Sequence, residues 1–124
     1  MKLLQVILVT SFALIILAGC GSSDASSEPA NSNLEEAATT ILLGLINEDE
    51  EMIGEINMSS GFPTPYLMSN FAPRFTGYDI SDFELEVIEE RNRVHFQTAD
   101  GQHDRFMRFS EENTGFYFRE FTNQ

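Results

Sequence analysis

The chain has a single cysteine, no tryptophan, one lysine and four prolines in 124 residues. One thiol cannot close a disulfide within the chain, so an exported fold must stand on packing alone. Seven basic side chains face 20 acidic ones, a formal charge of −13 with a pI near 4.3. Such a surface repels phosphate backbones and anionic headgroups, which argues against nucleic-acid binding. The length allows one domain and little more, which rules out a multidomain receptor or transporter. The sequence contains no Gly-x-Ser-x-Gly, no phosphate loop and no zinc-ligand spacing.

Met1-Lys2 leads into residues 3–18, apolar apart from Gln5, Thr10 and Ser11, and then into Gly19-Cys20. A positive start, an apolar middle and small residues before a cleavage point are the order of a secretory signal. The stretch is marginal for a permanent span, which needs roughly 20 apolar residues. Leu17-Ala18-Gly19-Cys20 closely resembles the lipobox of bacterial lipoproteins, and it contains the one cysteine of the chain. The resemblance implies a signal peptide over residues 1–19, cleavage before Cys20, a diacylglyceryl group on its thiol and a new N-terminus open to acylation by a palmitate-like chain. No other cofactor is expected. An uncleaved anchor helix with an incidental cysteine is the alternative. Each buried methylene contributes about 0.8 kcal/mol, and two chains hold where one binds reversibly. Cleavage also removes Lys2, leaving arginine to face all 20 acidic residues. Lipid rather than charge then holds the protein on the extracytoplasmic side of the cell membrane.

Gly21 to Asn33 contains no apolar residue larger than alanine. With Cys20 it reads as a flexible tether over residues 20–33, spanning roughly 18–22 Å as a coil. The folded domain is expected over residues 34–122. Asn33 is placed as an N-cap with Glu36 at the third helical position, the spacing of a capping box. Leu34, Ala37, Ala38, Ile41, Leu42, Leu45 and Ile46 then repeat at helical spacing. Asn47 reads as a break and a new cap, followed by Met52, Ile53 and Ile56 as the apolar face of a shorter helix. Pro65 predicts the start of a third helix through Phe71, which Pro73 ends.

The period then changes to two, with Phe83, Leu85 and Val87 alternating with Glu84 and Glu86. Arg91-Asn92 predicts a turn into a strand that carries Val94, Phe96 and Thr98 on one side. Asp100-Gly101 predicts a two-residue type I′ hairpin, which sets Phe96 against Arg105, Val94 against Met107 and His95 against Phe106. The last strand is expected to place Phe116 and Phe118 on one face and Tyr117 and Phe121 on the other. Helices followed by a four-stranded antiparallel meander make an α+β arrangement.

Ala37 to Glu51, Val94 to Gly101 and Glu112 to Phe121 carry a resemblance to small uncharacterised NTF2-like lipoproteins of bacteria. The last strand of that group commonly has a Gly-x-Trp-x-Ile pattern, where this chain has Gly115-Phe116-Tyr117-Phe118. The resemblance implies N-terminal helices packed on a curved four-stranded sheet, a cone with an apolar pocket at its wide end. A cystatin-like helix on a sheet is the alternative fold. Some NTF2-like domains are isomerases or hydrolases and many bind a ligand or a protein, so the family does not choose the activity.

The inventory of reactive residues is thin. His95 and His103 fall on opposite faces of the hairpin, which disfavours a shared metal site. Tyr66, Tyr78, Tyr117, Asp79 and Asp82 supply acids and donors without forming a catalytic motif. Glu48-Asp49-Glu50-Glu51 lacks the alternating ligands and central glycine of a calcium loop and suits a helix start. The surplus is aromatic, with 11 phenylalanines and 3 tyrosines. Phe71, Phe75, Phe106, Phe109 and Phe118 are candidates to line a pocket or a partner groove, or else to fill the core. Arg105 and Arg108 are candidates to steer an anion or to pair with acids. The expected function is a non-enzymatic binding domain for an apolar small molecule or a cell-envelope protein. A pocket enzyme of the isomerase or hydrolase type is the alternative, and self-association through an open sheet face is a third possibility.

Overall fold

The apolar stripe that opens the domain coils into helix α1, Leu34–Ile46, in the computed structural model, which describes residues 31–124. The signal segment, the Leu17–Cys20 motif and most of the tether lie outside the described residues. Helices α2 (Glu50–Ile56), α3 (Thr64–Asn70) and α4 (Ala72–Phe75) follow. Four strands complete the domain: β1 (Phe83–Ile88), β2 (Arg93–Thr98), β3 (Asp104–Glu112) and β4 (Gly115–Thr122). They pair in chain order, all antiparallel, into one open sheet. The domain is thus α+β, helices first and meander second. No helix among the described residues is long and apolar enough to cross a membrane.

Leu34, Ala37, Ala38, Ile41, Leu42 and Leu45 are all buried, and α1 lies across the sheet, touching β1, β2 and β4. Its cap is half of the expected box. Asn33 accepts the Glu36 amide at 2.8 Å, but the Glu36 carboxylate accepts from the Ser32 hydroxyl. Asn47 closes α1 rather than opening α2, because its amide is still committed to the Leu43 carbonyl at 2.9 Å. Asp49 is the N-cap of α2 and accepts the Met52 amide at 3.1 Å.

The hairpin of α1 and α2 is tight at Gly44. A β-carbon there would lie 2.4 Å from Ile53 Cγ1, and the Gly44 carbonyl accepts the Asp49 amide at 2.8 Å. Helix α3 ends with Phe71 as its C-cap, as expected, but Pro73 then belongs to a further helix. It sits in the first turn of α4, where its missing N–H leaves no bond unmade.

The β2–β3 register is the one expected, with Phe96 opposite Arg105, Val94 opposite Met107 and His95 opposite Phe106. The turn differs. Gly101 has φ 75° but Asp100 is not left-handed, and the connection is four residues, Ala99 to Gln102, closed by the Thr98 amide on the His103 carbonyl at 2.9 Å. The Asp100 carboxylate explains the change: it accepts the Thr98 hydroxyl at 2.6 Å and the Gln102 amide at 3.0 Å, an Asx arrangement that replaces the type I′ geometry.

A second correction concerns β4. Arg108 pairs with Glu120 and the next pair is Phe109 with Phe118, so Arg119 is an extra residue. This bulge resets the alternation by one. Phe121 therefore joins Phe118 on the buried face instead of opposing it.

The free edge of β4 is covered in two places. Met58 donates to the Phe118 carbonyl at 3.0 Å, and Asn57 bridges Phe118 in parallel. Asn31, which composition assigns to the tether, is buried and exchanges two bonds with Phe116: its carbonyl accepts the amide at 2.9 Å and its side chain donates to the carbonyl at 3.1 Å. The folded unit therefore includes the last residues of the expected tether. Covering an edge in this way removes unpaired donors and acceptors that would template another strand.

Candidate functional site

Phe71, Phe75, Phe109 and Phe118 are core residues, each no more than 8% exposed. Phe71 stacks on Phe121 at 4.7 Å between ring centroids, Phe75 on Phe83 at 5.8 Å, and Phe109 meets Phe118 edge-on at 6.1 Å. Phe106 lies on the other face of the sheet, stacked on His95 at 4.6 Å. The five do not line one common pocket, because strand alternation turns Phe106 to the other face and Phe109 and Phe118 pack inside the core.

The remaining candidates are dispersed as well. Tyr66 is exposed, and Asp79 and Asp82 cap the short turn Ile80–Asp82. The Tyr117 hydroxyl pairs with Thr114, and His95 Nε2 lies 2.5 Å from Asp104 on the outer face. Among the described residues no group of three or more histidines, cysteines or acids is placed to hold a metal ion.

One hollow collects chemistry that the sequence left scattered. It lies where the β2–β3 hairpin meets α4, has a volume of about 260 Å³, and is lined by Phe71, Arg74, Phe75, Phe96 and the segment from Gly101 to Arg105. Phe71, Phe75 and Phe96 lie beneath it as core residues. The His103 ring packs on Phe75 at 4.2 Å and meets Tyr78 edge-on at 5.1 Å. His103 Nε2 lies 3.0 Å from the Arg74 carbonyl, which ties the hairpin to α4. Tyr78 donates to Asp100 at 2.5 Å and adds a second tie.

The two partners of that second tie shift in opposite senses. Bonds from the Thr98 and Tyr78 hydroxyls hold Asp100 down from 3.8 to about 2. The bond to Asp100 raises Tyr78 above 10.0, since ionising the phenol would break it. A depressed carboxyl contributes stability that is present above its unfolded value and lost as pH falls through its folded one. A raised phenol contributes stability that is present below 10.0 and lost as pH rises through its folded value. The stability difference between wild type and Asp100→Ala is therefore expected to be flat between these limits. It should shrink as pH falls from 3.8 towards 2 and again as pH rises above 10, in urea unfolding across a pH series.

Arg74 and Arg105 distinguish the hollow. Neither side chain has a hydrogen bond or ion pair among the described residues, a state shared by Arg91 on the β1–β2 connection, whereas Arg93, Arg108 and Arg119 are committed. Arg108 holds Glu120 at 2.6 Å, and Arg119 donates to Ser110 at 2.9 Å and to the Met58 carbonyl at 2.7 Å. Arg105 stays free because β4 does not extend to it: the last β3–β4 pair is Phe106 with Thr122. Asp104, its neighbour, has its carboxylate turned to His95. Composition singles out Arg105 together with Arg108, but Arg74 carries no local signal beyond a cation in the last turn of a short helix. A larger hollow of about 420 Å³ beside Arg108 and Arg119 has its cations already engaged. Compared with protein families, with curated proteins and with solved structures, the chain matches none of them.

Proposed function

We propose that this protein is a bacterial lipoprotein, cleaved before Cys20 and held by lipid on the extracytoplasmic side of the cell membrane. Its α+β domain serves as a binding module for a small molecule or a cell-envelope partner. The observation that supports binding is the hollow at α4 and the hairpin: a concavity tied across by His103 to the Arg74 carbonyl and lined by two cations without partners. Cations gathered in a concavity and not engaged by the protein's own acids are available to a ligand. An NTF2-like cone is the finer fold reading, favoured over a single helix on a sheet by the α1–α2 hairpin and the two further helices laid before the meander.

The anchor is tested by Cys20→Ser in a bacterial host that processes lipoproteins. Wild type is expected to incorporate radiolabelled fatty acid and to partition into the detergent phase of a phase-separating non-ionic detergent. The variant should lose both properties. A variant that is still labelled, or that is cleaved and still partitions into detergent, refutes the lipid anchor.

A further inference from the structure

We infer that the hollow between α4 and the β2–β3 hairpin binds a small monoanionic carboxylate with an apolar body, the carboxylate held by Arg74 and Arg105 and the body set against the half-buried His103 ring. This deepens the binding reading and rests on it. The first ground is charge. Two arginines line one concavity, and neither is held by a carboxylate among the described residues. Asp104, which also lines the hollow, has its carboxylate bonded to His95 at 2.5 Å on the outer sheet face.

The second ground is fit. Guanidinium groups match a carboxylate by paired, parallel N–H bonds, which gives orientation as well as attraction. The volume of about 260 Å³ lies below the usual range for drug-sized ligands, so a body of one ring or a short acyl chain suits it. The third ground is the field of the whole molecule. A net charge of −13 repels a dianion about twice as strongly as a monoanion, which favours a carboxylate over a phosphate monoester or inorganic phosphate. The fourth is rigidity, because the ties from His103 to the Arg74 carbonyl and from Tyr78 to Asp100 hold both sides of the hollow in place.

The experiment is calorimetric titration of the full lipidated chain in non-ionic detergent micelles, with blank micelles subtracted, using benzoate, benzamide and inorganic phosphate as probes. Benzoate is expected to bind saturably, and benzamide and phosphate at least tenfold more weakly. Arg74→Gln and Arg105→Gln should each weaken benzoate by about tenfold, the value of one charge-assisted contact, while the urea midpoint and circular dichroism stay those of wild type. Benzamide binding as tight as benzoate overturns the carboxylate assignment and leaves the binding module standing. Phosphate binding tighter than benzoate overturns the apolar-body assignment in the same way. Benzoate binding that neither variant weakens overturns the site. Absence of heat with all three probes overturns the site and removes the support for the binding module, while the lipid anchor is judged separately at Cys20.

Discussion

Phe118→Ala is expected to lower the unfolding free energy by about 3–5 kcal/mol, the cost of emptying a filled aromatic site. Phe118 is fully buried, and its ring meets Phe121 at 4.9 Å, Phe109 at 6.1 Å and Phe62 at 6.3 Å. It joins three parts of the domain, since Phe62 lies in the connection between α2 and α3 while Phe109 and Phe121 lie on β3 and β4. Domains of this size are stable by about 5–15 kcal/mol, so the variant sits near the edge of folding. Urea unfolding measures the loss, and Phe118→Leu, which keeps most of the volume, is expected to cost less than about 2 kcal/mol. Phe121→Ala checks the bulge in the same assay. It should cost several times more than a surface change, whereas strict alternation without Arg119 as an extra residue would leave it nearly neutral.

Gly115→Ala is the second large effect, and it acts through backbone and neighbour together. Gly115 has φ 139°, a region that other residues occupy only under strain of about 1–3 kcal/mol. A β-carbon would also lie 2.6 Å from the Asn31 carbonyl oxygen and 2.9 Å from its side-chain nitrogen. Relieving that overlap costs about 1–3 kcal/mol more or breaks the bonds between Asn31 and Phe116. The two terms separate in a chain shortened to begin at Ser32. There the substitution should cost the strain alone, and an equal cost in both chains would show that Asn31 is not seated against Gly115. Amide exchange at Phe116 gives an independent readout, because the Asn31 carbonyl is its acceptor.

Much of the architecture was legible along the chain. The α1 stripe, the strand alternation of β1 and β2 and the β2–β3 register all follow from local periodicity and from one turn. The departures share a cause. Asn47 closed α1 instead of opening α2 because a cap depends on which amides the neighbouring helix has already claimed, and the acidic run supplied the cap of α2 through Asp49. Arg119 became a bulge residue, and Phe121 a core residue, through pairing with β3 rather than through any pattern within β4. Gly44 makes room for Ile53, a contact between α1 and α2 that no spacing within α1 announces.

The same division runs through the candidate site. Aromatic surplus pointed to Phe71, Phe75, Phe106, Phe109 and Phe118, yet four of these fill the core and the fifth faces outward. The hollow adds to Phe71 and Phe75 the pair Arg74 and His103, 29 residues apart and joined by one bond. The sequence by itself determined the fold class, the acidic balance and the signal-like N-terminus with its single cysteine, because these reside in composition and short-range spacing. Only the tertiary structure decided which cations remain without a partner. An arginine is satisfied or left free by whatever distant strand or carboxylate reaches it: Glu120 reaches Arg108, and β4 ends before it reaches Arg105.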